Sequence, residues 1–229
     1  MIAVIGDIHG CYLTLVELYQ QIIKKYPDIK VYSVGDLVDR GNKSYEVVEF
    51  IIDNNILFTP GNHDFMFYYF FKEPSTVFAR SWVFNGSEST LESYDDHDKK
   101  VFEHIDFIKE APLFFDTPDC FITHAGISKE YEKLLDQNFK NDPTILYNLI
   151  NREFRSDKGV LWLRGEALNI GKLQIVGHTK HQEITLDEEA NAAYIDTGAY
   201  VGNKLSAVII DKEQIIDVID VKTHLDDII

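Results

Sequence analysis

The sequence predicts an α/β fold in which helices flank mixed β-sheets. Short apolar runs rich in β-branched residues recur along the chain, and each is followed by a glycine-rich or polar turn. Amphipathic helical patterns separate several of these runs, and closely spaced strand-like runs follow them towards the end of the sequence. Alternating strands and helices indicate a sheet with helices packed on it, whereas closely spaced strands indicate antiparallel pairing.

The first part of the chain reads as strand, helix, strand, helix and strand. The runs predicted as buried strands are short, apolar and bounded by turn residues, and they cover 2–5, 30–34, 56–59, 120–123 and 173–176. Helical periodicity between the first three strands places apolar side chains on one stripe of each helix. These stripes are Leu15, Leu18, Ile22 and Ile23 within 14–25, and Val47, Val48, Ile51 and Ile52 within 44–54.

The later part of the chain differs in its pattern. Strand-like runs at 193–196, 204–210 and 214–221, with a turn at 211–213, predict antiparallel strands that close the fold as a second sheet. Residues 65–113 are helical and aromatic in pattern and form a cap-like insertion in one domain that spans 1–229. The aromatic run 65–71 favours a helix buried on nearly all sides over a lid that contacts a substrate.

Composition limits the classes of function. The chain has 229 residues and a formal net charge of −16, which argues against binding to nucleic acids and to anionic membranes. Two cysteines, Cys11 and Cys120, do not make a disulfide framework, and a reducing compartment is the simpler interpretation. Because the sequence shows neither a signal peptide nor a transmembrane segment, we expect a cytoplasmic protein. Nothing in the sequence predicts its oligomeric state.

Polar residues follow directly after each of the five predicted strands, where open sheets form ligand sites. These residues are Asp7 and His9, then Asp36, Asp39 and Arg40, then Asn62 and His63, then His124, and finally His178. Carboxylate, amide and imidazole ligands suit Mn, Fe or Zn better than a thiolate-binding metal. The remaining histidines, His97, His104, His181 and His224, lie in no such context and are predicted to be surface or structural, with some doubt for His181.

The ordered segments GDIHG, GDLVDRG, GNHD, THAG and VGHT, within residues 6–179, resemble the calcineurin-like metallophosphoesterase superfamily. Within it, the chain is similar to the bacterial phosphoprotein phosphatases. The resemblance implies a β-sandwich of mixed sheets flanked by helices, with a dimetal site at the carboxyl ends of the strands. It also implies two divalent ions as cofactors, with Mn expected first and Fe, Zn, Ni or Mg as alternatives.

The resemblance also implies a role for each matching residue. Asp7 and His9 match ligands of the first metal, Asp36 matches the carboxylate that bridges both metals, and Asn62, His124 and His178 match ligands of the second. His63 matches the histidine that protonates the leaving oxygen, Asp39 the carboxylate that orients it, and Arg40 a phosphate clamp. Arg164 resembles a second clamp on a looser pattern, and a purely structural role is nearly as well supported. Asn62 is expected to contact substrate as well as metal.

Several functions are compatible with this pattern. The favoured one is a Ser/Thr protein phosphatase-like phosphomonoesterase that uses a metal-bridging hydroxide. The alternative is a symmetrical dinucleoside tetraphosphate hydrolase, although that branch usually shows Gln where His9 stands and Ala where Asp39 stands. Asp at position 64 is more typical of the bacterial and tetraphosphatase branches than of the eukaryotic phosphatases. The expected substrate is therefore either a phosphorylated protein or a small phosphoester or nucleotide. A non-catalytic binding module would be expected to lose metal ligands, and here every expected position is filled.

Overall fold

A computed structural model describes residues 1–135, 139 and 142–228. Within these ranges the strands form two five-stranded sheets, and helices flank them. The strands are β1 (Ile2–Ile5), β2 (Lys30–Ser33), β3 (Leu57–Phe58), β4 (Phe114–Asp116), β5 (Phe121–Thr123), β6 (Gln174–Val176), β7 (Thr185–Asp187), β8 (Ala192–Tyr194), β9 (Lys204–Asp211) and β10 (Gln214–Lys222). The predicted fold class is confirmed. In the part of the chain that the structure describes, no helix is both long enough and apolar enough to cross a bilayer.

The first sheet has the order β10-β9-β1-β2-β3, and the second has the order β4-β5-β6-β8-β7. Strands β1, β2 and β3 run parallel, as do β5, β6 and β8, whereas β4, β7, β9 and β10 pair antiparallel with their neighbours. Apolar side chains from both sheets form one buried cluster, which includes Val4 and Tyr32 from the first sheet and Ile122 and Ile175 from the second. The core between the sheets is therefore a sandwich interior.

The helices predicted at 14–25 and 44–54 and the helical segment predicted at 65–113 are observed, whereas the helix at Thr144–Glu153 was not predicted from the sequence. The helices are α1 (Tyr12–Lys25), α2 (Ser44–Asp53), α3 (Asn62–Lys72), α4 (Val77–Trp82), α5 (Ser87–Ser93), α6 (Asp98–Glu110) and α7 (Thr144–Glu153), with short 3₁₀ helices at Lys129–Lys133, Ala199–Val201 and Leu225–Asp227. The predicted apolar stripes of α1 and α2 are largely buried in a core cluster that also contains side chains of β1 and β9. These two helices therefore cover one face of the first sheet.

The aromatic helix α3 is a packing element. Phe65, Met66, Phe67 and Tyr69 are buried, which agrees with the prediction of a helix enclosed on most sides. Phe67 packs against Trp82 of α4 with ring centroids 5.4 Å apart, and Tyr69 stacks on Phe78 at 4.9 Å. The helical segment from α3 to α6 thus packs against the core next to the loops that follow β2 and β3.

One sequence prediction about the sheets was wrong. The strands predicted at 204–210 and 214–221 do pair antiparallel, and the 211–213 turn joins them, but they belong to the first sheet. Strand β9 pairs with β1, with Ile2 opposite Ile210. Residues Leu205 to Ile210 are all buried, so β9 needs neighbours on both edges and cover on both faces. Of the three strands predicted at 193–196, 204–210 and 214–221, the first is observed as β8 and is the one that belongs to the second sheet.

Candidate metal centre

The predicted metal ligands come from loops of both sheets, and they converge between the sheets. Asp7, His9, Asp36 and Asn62 follow strands of the first sheet, whereas His124 and His178 follow strands β5 and β6 of the second. The backbone N–H of His178 donates to Asp7 Oδ2 at 3.0 Å, and Asn62 Oδ1 lies 2.8 Å from His178 Nδ1. The structure thus brings together all six residues that the sequence predicted as ligands.

Asp36 lies at the centre of this group and is 2% exposed. Its Oδ2 is 3.3 Å from His9 Nε2, and its Oδ1 is 3.6 Å from His124 Nε2. Its Oδ1 also accepts a hydrogen bond of 3.0 Å from the backbone N–H of His63. A carboxylate placed between the two sets of imidazoles is in the position that a bridging ligand needs.

The two histidines nearest to Asp36 are oriented by backbone carbonyls. His9 Nδ1 lies 2.9 Å from the carbonyl oxygen of Val38, and His124 Nδ1 lies 2.8 Å from that of Val34. Hydrogen bonds of this kind hold Nδ1 as the protonated nitrogen and leave the Nε2 lone pair for a metal. In both rings Nε2 is the nitrogen that faces Asp36.

Several buried atoms fit a pair of divalent cations. Asp7 Oδ1 and His178 Nε2 are buried and have no hydrogen-bond partner among the described residues. Potential ligand atoms of Asp7, Asp36 and His124 all lie within 4.8 Å of one another, and so do those of His9, Asp36 and His63. Because buried polar groups are costly without a partner, this donor set fits cations that it would coordinate. His63 differs from His9 and His124 in that other side chains hold both of its nitrogens, Asp39 at Nδ1 and Arg40 at Nε2.

The charge states agree with a metal centre. Burial and the neighbouring carboxylates of Asp196 and Asp36 raise the pKa of Asp7 well above its usual range. Burial alone would raise the pKa of Asp36, but His124, His63 and His9 together lower it well below its usual range. Burial, followed by the charge of His124, lowers the pKa of His178 to about 2. That imidazole is therefore neutral at physiological pH, which is the form that binds metals.

The predicted acid–base pair forms a direct contact. His63 Nδ1 is 2.7 Å from Asp39 Oδ2, and both side chains are almost fully buried. Asp39 in turn accepts hydrogen bonds from the indole N–H of Trp82 at 2.9 Å and from the hydroxyl of Thr90 at 2.7 Å. The helical segment therefore supports the carboxylate that orients His63. Nothing in the sequence pattern assigned Trp82 or Thr90 to this position.

The two predicted phosphate clamps differ in position. Arg40 lies at the centre, with Nη2 2.9 Å from His63 Nε2, and its guanidinium stacks 4.2 Å from the ring centroid of Tyr200. Arg164 is exposed and lines a cleft of about 740 Å³, although its charge contributes to lowering the pKa of His178. Its part in binding phosphate stays a prediction.

Sequence reasoning missed residues that hold the loops together. Asp64 is fully buried and accepts hydrogen bonds from the backbone N–H groups of Leu37 at 2.8 Å and Gly61 at 2.8 Å, so it joins the second and third loops. Asp196 is buried and close enough to Asp7 to raise its pKa. Since Asp196 and Tyr200 follow β8 in the same way as other site residues follow their strands, strand-end position was the signal that could have found them.

The backbone at the site is strained. His9, Asp36, Asp39, Arg40 and His178 all have positive φ angles, of 48°, 49°, 74°, 73° and 63°. Residues other than glycine are held in this left-handed region at a cost of about 1–3 kcal/mol each, and such residues cluster at functional sites. The concentration of strain at residues already chosen from the sequence is independent support for a functional site.

The other histidines have structural surroundings. His104 is buried between the hydroxyl of Tyr94 at 2.7 Å and Glu49 Oε1 at 2.6 Å. His97 stacks on Tyr45, and His224 pairs with Glu17 at the surface. The ring of His181 contacts that of Tyr194, and its Nε2 is buried without a partner among the described residues. The positions of His97, His104 and His224 agree with the predicted surface or structural roles, whereas the role of His181 stays a prediction.

A glycine next to His178 makes room for the ligands. A Cβ added at Gly177 would come within 1.9 Å of Asp7 Oδ1. We therefore expect Gly177→Ala to displace Asp7 and to reduce any metal-dependent activity of the site by about 100-fold, because a shift of about 1 Å at such a site can cost that much. Steady-state rates with added Mn²⁺ measure the effect, and Gly165→Ala, which meets only Leu163 Cδ1 at 3.7 Å, is the control. Equal rates for the two variants would contradict the close packing of Gly177 against Asp7.

Comparisons with known proteins agree with this geometry. An asymmetrical bis(5′-nucleosyl)-tetraphosphatase of Anoxybacillus flavithermus is 31% identical, in an alignment that covers 90% of this chain and 88% of the relative. A crystal structure of a candidate diadenosine tetraphosphatase superposes with a TM-score of 0.61 at 19% identity, over 98% of this chain and 94% of that one. A cold-active protein-tyrosine phosphatase of a Shewanella species also superposes with a TM-score of 0.61, at 19% identity, over 93% and 80%.

The two superpositions demonstrate a shared fold. The sequence profile of the calcineurin-like phosphoesterases matches residues 1–204, which contain all the predicted ligands and clamps. This match covers most of the chain, and the resemblance seen in its motifs is confirmed. The protein belongs to the calcineurin-like phosphoesterase family and is a metal-dependent phosphoesterase.

Proposed function

We propose that this phosphoesterase hydrolyses dinucleoside tetraphosphates asymmetrically, to a nucleoside triphosphate and a nucleoside monophosphate. The observation that carries the proposal is the buried group of six predicted ligands, Asp36 and the five side chains around it, together with Arg40 beside His63. The choice of substrate rests on the 31% identical relative, whose name specifies this asymmetrical reaction. The symmetrical reaction has less support, since His9 and Asp39 depart from its usual pattern.

The proposed metal ligands are those that the sequence predicted. Asp7 and His9 would hold one ion, Asn62, His124 and His178 the other, and Asp36 both. Two divalent ions bound there would supply an activated water at neutral pH and neutralise charge on the phosphoryl group. We propose Mn²⁺ because hard oxygen and imidazole donors suit it.

The chain's own groups would then position the substrate and deliver a proton. Arg40 presents a planar guanidinium with forked donors that match phosphoryl oxygens, and Tyr200 holds its plane in place. His63 would donate a proton to the leaving oxygen, and Asp39 would fix the ring through Nδ1. Arg164 would contact a phosphate further along the polyphosphate, at the edge of the cleft that it lines.

A second candidate is the Ser/Thr phosphatase activity that the sequence favoured. Its support is the presence of His9 and the Val38-Asp39-Arg40 run, which fit the protein-phosphatase pattern and lie inside the site. Both candidates use the same ligands and the same His63–Asp39 pair, so product analysis on each substrate has to separate them.

The deciding experiment compares diadenosine tetraphosphate and a phosphoserine peptide, each at several concentrations, with the Mn²⁺-loaded protein. We expect a kcat/KM at least about 10-fold higher for the nucleotide, the discrimination that 1.4 kcal/mol of transition-state binding gives. Chromatography of the nucleotide reaction should show ATP and AMP in equal amounts. Asp36→Asn, assayed in parallel, measures any contaminating hydrolase.

Three other results would each contradict the proposed asymmetrical hydrolysis. ADP as the only nucleotide product would replace the proposal by the symmetrical reaction. A higher kcat/KM on the phosphopeptide would favour the phosphatase candidate. Absence of turnover on both substrates and on p-nitrophenyl phosphate, with each divalent metal, would leave a binding module as the function.

A further inference from the structure

A short turn outside the family match contacts the loops that carry the site. The family profile ends at residue 204, whereas the 3₁₀ turn Leu225–Asp227 follows β10. Asp227 in this turn is fully buried, although the residue before it is exposed. A buried carboxylate needs partners that compensate for its lost hydration, so its contacts show what the turn does.

The carboxylate of Asp227 caps the amino end of α1. Its Oδ1 accepts a hydrogen bond from the backbone N–H of Leu13 at 2.9 Å, and its Oδ2 accepts from the N–H of Thr14 at 2.8 Å. The Thr14 hydroxyl also donates to Oδ2 at 2.7 Å. Cys11, the residue at the N-cap position of α1, makes no side-chain capping bond. The helix that follows the first metal-ligand loop is therefore capped by a residue distant in sequence, with a charge that the helix dipole favours.

The backbone of the same turn contacts the second loop. Asn42 donates its N–H to the carbonyl oxygen of Asp227 at 3.1 Å and its side-chain amide to that of Asp226 at 3.0 Å. Gly41, the residue before Asn42, lies between the backbone of the turn and the backbone of His9. A Cβ added to Gly41 would come within 2.2 Å of the His9 carbonyl oxygen and 2.9 Å of the Asp227 carbonyl oxygen. The turn thus packs against Gly41, and Gly41 packs against the backbone of His9.

These contacts matter because both loops are held in strained conformations. His9 and Arg40 have φ angles of 48° and 73°, and the Gly41 N–H donates to the His9 carbonyl oxygen at 3.0 Å. Strained residues keep such angles only when their surroundings hold them. The turn contacts Leu13 and Thr14, four and five residues after His9, and it contacts Gly41 and Asn42, directly after Arg40.

We propose that Asp227 is a positioning residue of the metal centre, which fixes the His9 loop and the Arg40 loop relative to each other. It acts through Thr14 and Asn42 and touches neither a predicted ligand side chain nor Arg40. The inference rests on the metal-dependent hydrolase activity, but it is independent of which phosphoester is the substrate.

The test uses Asp227→Asn in the full chain, which keeps the shape of the side chain but places an amide against N–H donors. We expect kcat on p-nitrophenyl phosphate to fall about 10-fold and Mn²⁺ affinity, measured by titration calorimetry, to fall by a similar factor, as is typical when groups that orient ligands are changed. KM should change less than kcat, because substrate-contacting side chains remain.

A matched control separates positioning from general stability. Asp119 is also a buried carboxylate that accepts a backbone hydrogen bond, from Lys212 at 2.8 Å, but it lies beside Met1, at the other end of β1 from Asp7. Asp119→Asn should lower Tm while leaving kcat and Mn²⁺ affinity unchanged. If Asp227→Asn lowers Tm but keeps wild-type kcat and Mn²⁺ affinity, the turn is only structural and the proposal is wrong.

A milder variant guards against loss of folding. Thr14→Val removes one of the three hydrogen bonds to the Asp227 carboxylate, and with it the acceptor of the His224 N–H at 3.0 Å, but it leaves both backbone bonds to the carboxylate in place. It should reduce Mn²⁺ affinity in the same direction by a smaller factor, and wild-type affinity in a folded Thr14→Val protein would overturn the proposal. Because calorimetry detects metal binding without turnover, this readout remains informative even if no phosphoester is hydrolysed.

Discussion

Chelation of divalent ions is expected to abolish hydrolysis of p-nitrophenyl phosphate, with a loss of at least about 1000-fold, and added Mn²⁺ should restore it. The reason is the composition of the centre, where Asp7, Asp36 and Asp196 are buried close together. Their charges need compensation by cations, and metal-ion stabilisation of a phosphoryl-transfer transition state is worth several kcal/mol. The measurement compares rates before chelation, after chelation and gel filtration, and after readdition of Mn²⁺.

The same ions should stabilise the fold. A ligand that binds only the native state raises Tm, so Mn²⁺ should raise the Tm of the chelated protein. Asp36→Asn should lose both the activity and this increase in Tm. Asp28→Asn is a matched control, because Asp28 also has a positive φ, of 62°, but is exposed in a turn. Full turnover by a protein shown to be free of metal would refute the metal-dependent mechanism.

Replacing His63 by Asn is expected to lower kcat by about 100-fold to 1000-fold while the metals remain bound, the range typical for loss of a general acid. His63 has Nδ1 fixed by Asp39 at 2.7 Å, so Nε2 is the nitrogen that can reach a leaving oxygen. The loss should be larger for an alkyl phosphate than for p-nitrophenyl phosphate, because p-nitrophenolate leaves with little need for a proton. Single-turnover rates on both substrates, with metal content measured in the same samples, test this.

The control for this prediction is His97→Asn. His97 is a partly exposed imidazole that stacks on Tyr45 at 3.7 Å and has no part in the centre. It should keep wild-type rates on both substrates. If His63→Asn slowed both substrates by the same factor, His63 would act in binding or in metal geometry instead of proton transfer.

The sequence was sufficient to predict which residues the structure brings together around Asp36, because each of them follows closely after a recognisable strand. Asp7, Asp36 and Asn62 occur in glycine-containing turns after apolar runs, and such positions place side chains at the carboxyl edge of a sheet. The ordered series of motifs then supplied the roles. These predictions used the local sequence pattern and the order of the motifs, and they did not depend on contacts between distant segments.

Contacts between distant segments were outside the reach of this reasoning. Nothing in the local sequence indicates that Trp82 and Thr90 bond to Asp39, or that Asp227 caps α1, because these pairs depend on how helices and turns pack in three dimensions. The assignment of β9 and β10 to the wrong sheet has the same cause. Hydrophobic alternation identifies a strand, but it does not identify the partner of that strand.

The pairing of β1 with β9 has a consequence for the order of events during synthesis. Ile2 lies opposite Ile210, so the strand that leads into Asp7 cannot complete its ladder until residue 210 has left the ribosome. Contacts that span such long sequence separations form late and slowly, since closing a long loop is entropically costly. Capture of metal ions is therefore expected to come late in maturation, after β9 has been synthesised and has paired with β1.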